Sequence, residues 1–173
     1  SGYDQILQAY TDTNVGRTQN VGVELSAGLK PIEGLSLFGS FTYTHSEILS
    51  DYPSSGTRGG QTVAVTLPTK GKAYPDTPEF MAAVGAQYAW QGWFVGSDVK
   101  YTGMRYATLM NDESAKPYTT VDLRAGYHLS ELGFKGDPVI RFNVTNLLDT
   151  NYLGRISTAF KTNAQAVTVN GAT

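Results

Sequence analysis

Cysteine is absent from the 173 residues. Its absence excludes a disulfide framework, thiolate metal sites and a cysteine nucleophile, and is compatible with an oxidising compartment. Charge is scarce as well: Asp, Glu, Lys and Arg supply 16% of the chain, against roughly 25% in soluble domains. With a formal net charge of −2 and no Lys/Arg cluster, the chain offers no basic field, and no nucleic-acid partner is expected. No apolar run approaches the roughly 20 residues of a transmembrane helix. A membrane crossing would have to use strands, because closed sheets are the only other structure that satisfies every backbone group in lipid. No strand-elbow surrounds a serine, and "SSGTRGG" (54–60) reads as a flexible loop without the strand-to-helix context of a phosphate cradle. The chain has no initiating Met and no leader, so any export signal is expected upstream of Ser1.

Gly (19) and Tyr (11) are abundant instead, a mixture that suits strands and turns. The dominant pattern is a period of two. In "NVGVELSAGLK", Val21, Val23, Leu25, Ala27 and Leu29 share one face, and Gly22, Glu24, Ser26, Gly28 and Lys30 the other. "LSLFGSFTYTH" sets Leu35, Leu37, Gly39, Phe41 and Tyr43 opposite Ser36, Ser40, Thr42 and Thr44. "FMAAVGAQYAW", "WFVGSDVKYTG", "YTTVDLRAGYHL" and "VIRFNV" alternate likewise, and "YDQILQAY" before Thr18 reads as the end of a further strand. His45 and His128 fall near opposite ends of the resulting sheet and so do not combine into a metal or haem site. No helix is expected, and no catalytic residue, cofactor or metal.

Connection lengths alternate strictly. Those near 31–34, 91–92 and 130–137 are short; those near 49–76, 106–117 and from 148 onward are long. In an up-and-down sheet this gathers the short turns at one end and the long loops at the other, as in outer-membrane barrels. Trp90, Trp93, Tyr127 and Leu129 then lie near the short-turn end, and Tyr43, Tyr101 and Tyr118 near the long-loop end, as two girdles around a band of Val, Leu and Ala. Each segment has the about 10 residues that a tilted transmembrane strand needs. The expected fold is therefore all-β: an antiparallel up-and-down transmembrane β-barrel, here a piece of about seven strands with short periplasmic turns and long extracellular loops. A soluble sandwich or lipocalin-like barrel also alternates, but it would bury Trp90 and Trp93.

The ending "VIRFNVTNLLDTNY" resembles the penultimate-strand signature of TonB-dependent outer-membrane receptors, in which an alternating strand closes on Asn-Leu-Leu/Phe-Asp and a following Tyr. Those positions are Asn146, Leu147, Leu148, Asp149 and Tyr152. "NVGRTQNVGVELS" resembles the family's strand entry through Gly16, Arg17, Gly22, Val23 and Glu24. "GLSLFGSFTYTHSEI", "YTTVDLRAGY" and "VGSDVKYTGMRY" are similar to it too, so the resemblance covers nearly the whole chain in the right order. It implies that residues 1–173 are a C-terminal portion of a barrel of about 22 strands, lacking the N-terminal plug domain and the final strand. It further implies active uptake of a ferric siderophore or similarly bulky nutrient across the bacterial outer membrane. The implied partners are that ligand, the lipid bilayer, and the TonB-ExbB-ExbD machinery acting through the plug. The rival functions are a passive channel or structural barrel, and a soluble β-sheet binding module.

The polar faces hold one charge group: Glu24, Asp98, Lys100, Asp122, Arg124 and Arg141. If the hairpin is symmetric about residue 111, Asp98 opposes Arg124 and Lys100 opposes Asp122, two complementary cross-strand pairs. Such pairs hold register, hydrate a lumen or meet a plug, and less often line a transport path. Ligand contacts are expected at the long-loop end, from Tyr52, Arg58, Tyr74, Arg105, Tyr106, Tyr152 and Arg155, with Met104 and Met110 nearby. Arg forks and aromatic faces suit an anionic iron chelate, although for any single one of these residues girdle or loop packing is the commoner role.

Overall fold

The computed structural model describes residues 2–4, 9–11, 16–58, 60–133, 135–136 and 138–156, with 2–4, 9–11, 54–58, 62, 63 and 65 described by backbone alone. Two short strands, β1 (Gly2–Asp4) and β2 (Ala9–Thr11), are followed by β3 (Thr18–Ile32), β4 (Leu35–Ile48), β5 (Tyr52–Arg58) and β6 (Gln61–Leu67). Next come β7 (Phe80–Trp90), β8 (Trp93–Thr102), β9 (Arg105–Tyr106), β10 (Ser114–Ala115), β11 (Tyr118–His128), a 3-10 turn (Leu129–Leu132) and β12 (Val139–Val144). Six of them form one sheet in the order β12-β11-β8-β7-β4-β3, each pair antiparallel. Spatial order is chain order, so this is an up-and-down meander.

Two expectations need correction. The seventh strand before Thr18 does not join the sheet: β1 and β2 pair with each other. Residues 54–58 of "SSGTRGG", expected as a flexible loop, are extended instead, because β5 and β6 form a hairpin inside the connection between β4 and β7. Strong strand formers in "QTVAVTL" supply a partner edge onto which the small residues can zip.

The turns explain the register. Gln91 (φ 46°) and Gly92 (φ 81°) are both left-handed, the geometry of a two-residue type I′ loop whose twist matches the strands it joins. Trp90 accordingly pairs with Trp93. Pro31, without an N–H, sits where the β3–β4 register slips between Leu29 and Ile32.

With this register, the apolar faces of all six strands become one surface. Leu25, Phe41, Ala82 and Tyr101 form one row across it; Ala27, Gly39, Val84, Val99 and Val121 form the next. Tyr43 and Phe80 meet at 5.3 Å between ring centroids at the long-loop end, and Trp93 and Tyr127 at 4.7 Å at the short-turn end. From Phe80 to Trp90 the strand runs about 33 Å, which a tilt of about 40° reduces to about 25 Å, the height of the apolar band of such barrels. On β4 the band stops at Tyr43, beyond which His45 and Glu47 lie 4.0 Å apart on the same face. Trp90 is 60% and Trp93 58% exposed, and Phe142 reaches 75%. A soluble module would have covered them.

Most buried residues lie outside this band. Ile48, Leu67, Thr69, Ala107, Thr108 and Ala115 are buried where the long connections pack together. The long connections thus have a small core of their own.

Candidate functional site

The polar face carries a charge ladder. Asp98 and Asp122 stand directly opposite each other, Lys100 faces Thr120 and Arg124 faces Gly96. The dyad of the β8–β11 hairpin thus falls at residue 110 instead of 111, and the expected direct pairs become diagonal ones. Arg124 Nη1 donates to Asp98 Oδ2 and its Nε donates to Gln87 Oε1 at 3.2 Å; Lys100 Nζ lies 3.8 Å from Asp122 Oδ2. Two facing carboxylates are each offset by a cation one step along. Glycines make room for them: a Cβ on Gly85 would stand 2.6 Å from Asp98 Oδ1, and one on Gly96 2.9 Å from Arg124 Nε. Lower on the same face, Arg141 lies over the ring of Phe94 at 5.7 Å, while Glu24 stands exposed near the sheet edge on β3. Phe94 is buried there because Gly126 leaves it space.

The end of β12 folds back onto this ladder. Asn146 takes a left-handed backbone (φ 52°), a conformation that Asn tolerates better than most residues. Its side chain closes a ring with Thr150, Oδ1 accepting from the Thr150 N–H at 3.0 Å and Nδ2 donating to the Thr150 carbonyl at 3.1 Å. The Asn146 N–H donates to Asp122 Oδ1 at 2.9 Å, and Leu147 N–H to the Val121 carbonyl at 2.7 Å. The Asn-Leu-Leu-Asp ending is therefore a clasp that seats the chain on β11. The clasp carries Tyr152 onto Tyr118, with centroids 4.1 Å apart and planes 16° apart. Tyr118 belongs to the polar face, paired with Thr102, and not to the outer girdle expected for it.

Between ladder and clasp lies a pocket of about 290 Å³, lined by Lys100, Thr102, Tyr118, Thr120, Asp122, Thr145, Asn146 and Tyr152. Lys100 is its cation, with a side chain 62% exposed. Hydroxyl groups, the Lys100 ammonium balanced by Asp122, and stacked phenols can hold an oxygen-rich group with apolar flanks.

Arg105 departs from the role expected of it. Its side chain is 6% exposed, and Nη1 donates to Asp76 Oδ1 at 2.8 Å while Nη2 donates to the Leu153 carbonyl. It binds loops and has no open surface for a ligand. Tyr106 and Met104 border a separate cleft of about 440 Å³ between the connections that follow β6 and β8, and Tyr74 is exposed beside it. Tyr52 is half-buried at the foot of the β5–β6 hairpin, Met110 is half-buried, and Arg155 is exposed. The side chain of Arg58 lies outside the described residues.

A family model described as "TonB dependent receptor-like, beta-barrel" matches residues 1–147. The chain belongs to that family. Among curated proteins it is 28% identical over 143 residues to the ferrichrome outer membrane transporter/phage receptor of Escherichia coli (strain K12), covering 80% of this chain and 17% of that protein. It is 26% identical over 145 residues to the ferrioxamine B receptor of Salmonella typhimurium (strain SL1344), covering 81% and 18%. Among solved structures, the ferric preacinetobactin receptor BauA of Acinetobacter baumannii superposes with a TM-score of 0.61 at 24% identity, over 78% of this chain and 18% of that one. The chain thus spans under a fifth of the length of the curated relatives it matches. Its described residues form an open, all-β sheet of this receptor-barrel family, and its place is the outer membrane.

Within this receptor segment, the six charges named from the sequence all share the polar face, and Lys100, Asp122 and Tyr152 meet in one pocket. Thr102, Tyr118, Thr120, Thr145 and Asn146 complete it, and the sequence reading passed over them as site residues. The available signal was the polar spacing of Lys100, Thr102, Thr120 and Asp122 on neighbouring strands, together with a second Tyr within reach of Tyr152. Tyr52, Tyr74, Tyr106 and Arg155 are not brought into that pocket.

Proposed function

We propose that the chain forms barrel wall and extracellular loops of a receptor that takes up a ferric siderophore by TonB-dependent active transport. The observation that carries this reading is the pairing of two unlike faces on one sheet. A continuous apolar surface with exposed tryptophans turns to lipid, and a polar surface with an ion-pair ladder and an aromatic-rimmed pocket turns to a water-filled lumen. The printed functions of the relatives, uptake or reception of ferrichrome and of ferrioxamine B, support the ligand class.

In this mechanism Tyr52, Tyr74, Tyr106 and Arg155 meet the chelate first at the long-loop end. Lys100 and the Tyr118–Tyr152 stack then receive it within the wall, the ammonium and the threonine hydroxyls bonding its oxygen atoms and the phenol rings packing against its apolar parts. The ladder of Asp98, Arg124, Lys100 and Asp122 keeps the strands in register while the lumen is wet. Residues 1–173 are read as a C-terminal portion of the barrel, with a plug domain encoded before it that couples to TonB-ExbB-ExbD and a final strand encoded after it. The barrel wall performs no bond chemistry, so no catalytic residue is required.

The test is uptake of radiolabelled iron, supplied as ferrichrome or ferrioxamine B, by cells with and without the gene that encodes this segment. Uptake that depends on both the gene and an active TonB supports the reading. Uptake that persists when TonB is inactivated would instead indicate a passive channel, and gene-independent uptake of both chelates would refute the assignment.

A further inference from the structure

Arg105 ties its own connection to two other long ones. It opens β9, just beyond the lipid band, and Nη1 binds Asp76 Oδ1 at 2.8 Å in the connection that leads to β7. Nη1 also reaches the Gly154 carbonyl at 3.4 Å and Nη2 binds the Leu153 carbonyl, both in the stretch after β12. The guanidinium carbon lies 5.9 Å from the centroid of Tyr118, at the start of β11. Burying a guanidinium is costly unless its donors are met, and Nε is buried without an acceptor among the described residues, so the binding falls to the Nη pair.

The three connections are not tied equally. Asn111 joins the β9–β10 connection to the one before β7 independently of Arg105: its Nδ2 donates to the Ala73 carbonyl at 2.9 Å and its Oδ1 accepts the Ala73 N–H at 2.8 Å. The Asp76 N–H adds a bond to the Tyr106 carbonyl at 2.9 Å. Residues 151–155 have no such second fastening to those two connections among the described residues. They are held by Arg105 at Leu153 and Gly154, and by the stack of Tyr152 on Tyr118.

We propose that Arg105 is a positioning residue for ligand capture. It fixes residues 152–154 against β9, sets Tyr152 on Tyr118, and thereby shapes the aromatic rim of the pocket that contains Lys100. Only a planar fork serves, because carboxylate and carbonyl must be met from one group in two directions. The capture step rests on the uptake reading above; the positioning of residues 151–155 does not.

The experiment uses the full-length receptor that carries this segment, in detergent, with Arg105→Lys as the variant. Chymotryptic cleavage after Tyr152 and Leu153 in the folded receptor should accelerate about tenfold, while the Ala73 amide, bonded to Asn111 Oδ1, keeps its exchange protection. Affinity for ferrichrome or ferrioxamine B should fall about tenfold, and this loss should vanish in a Tyr152→Ala background, since the two changes act through one contact. Unchanged cleavage at 152–153, or an affinity loss of equal size in both backgrounds, would overturn the proposal. If the unmodified receptor binds neither chelate, the uptake reading is in difficulty, and the cleavage measurement still decides the positioning role. Should Arg105→Lys fail to assemble, Asp76→Asn weakens the same fork from the other side and should speed cleavage at 152–153 in the same way.

Discussion

Asn146 offers the sharpest energetic test of the clasp that ends β12. Replacing it with Ala removes two hydrogen bonds to Thr150, of 3.0 and 3.1 Å, each worth about 1 kcal/mol net. It also places a Cβ-bearing residue that lacks the Asn side chain at φ 52°, which costs about 1 kcal/mol more. The clasp should open about 3 kcal/mol more easily. At 1.4 kcal/mol per decade, that is an increase of about 150-fold in the open population. Asn146→Gly loses the same bonds but not the backbone preference, so its effect should be about 2 kcal/mol, or about 30-fold. The readout is amide exchange at Leu147 and Asp149, whose N–H groups bond to the carbonyls of Val121 and Asn146, in the full-length receptor. Both variants remaining within about threefold of the parent, or Gly exceeding Ala, would refute the reasoning.

Three further outcomes are expected. Arg124→Gln leaves Asp98 facing Asp122 with one cation between them and should lower barrel stability by about 1 kcal/mol, whereas Lys100→Gln, at a more solvated site, should cost less than about 0.5 kcal/mol; denaturant titration compares them. Val84→Arg, at mid-height on the apolar face, should cost about 2–4 kcal/mol in a lipid-refolding assay, and Ser40→Arg on the polar face should be tolerated. The 173-residue chain expressed alone should aggregate, because among the described residues β3 and β12 each expose an unpaired edge; a monodisperse, cooperatively melting soluble product would contradict this.

What was legible in the sequence was whatever one strand decides locally. Val21 to Leu29 against Glu24 and Lys30, or Ile140 and Phe142 against Arg141, fix faces by alternation alone, and Gln91-Gly92 fixes a turn. Relations set across long connections were not legible. The hairpin dyad fell one residue from its expected place because nothing local in a long loop marks its midpoint, and every β8–β11 pair shifted with it. Tyr118 has the parity of Thr120 and Asp122, so alternation already set it on the polar face with its partner Thr102; its girdle assignment followed from its height alone. Arg105 reads as an exposed loop cation because its acceptors, Asp76, Leu153 and Gly154, lie far away in sequence. The β5–β6 hairpin was hidden because Ser and Gly in Tyr52–Arg58 carry little strand preference and take their conformation from Gln61–Leu67.

The central claim is that one face of this sheet meets lipid and the other meets a water-filled lumen. Because the segment contains no cysteine, single cysteines can be placed along β4, β7 and β8 of the full-length receptor, provided any elsewhere are removed, and labelled with a nitroxide in bilayers. Collision with oxygen, which concentrates in lipid, should be high at Phe41, Val84 and Val95; collision with a water-soluble nickel chelate should be high at Ser40, Gln87 and Lys100. The two accessibilities should alternate out of phase with a period of two residues. A common phase, or oxygen access on the side of Lys100, would contradict the account.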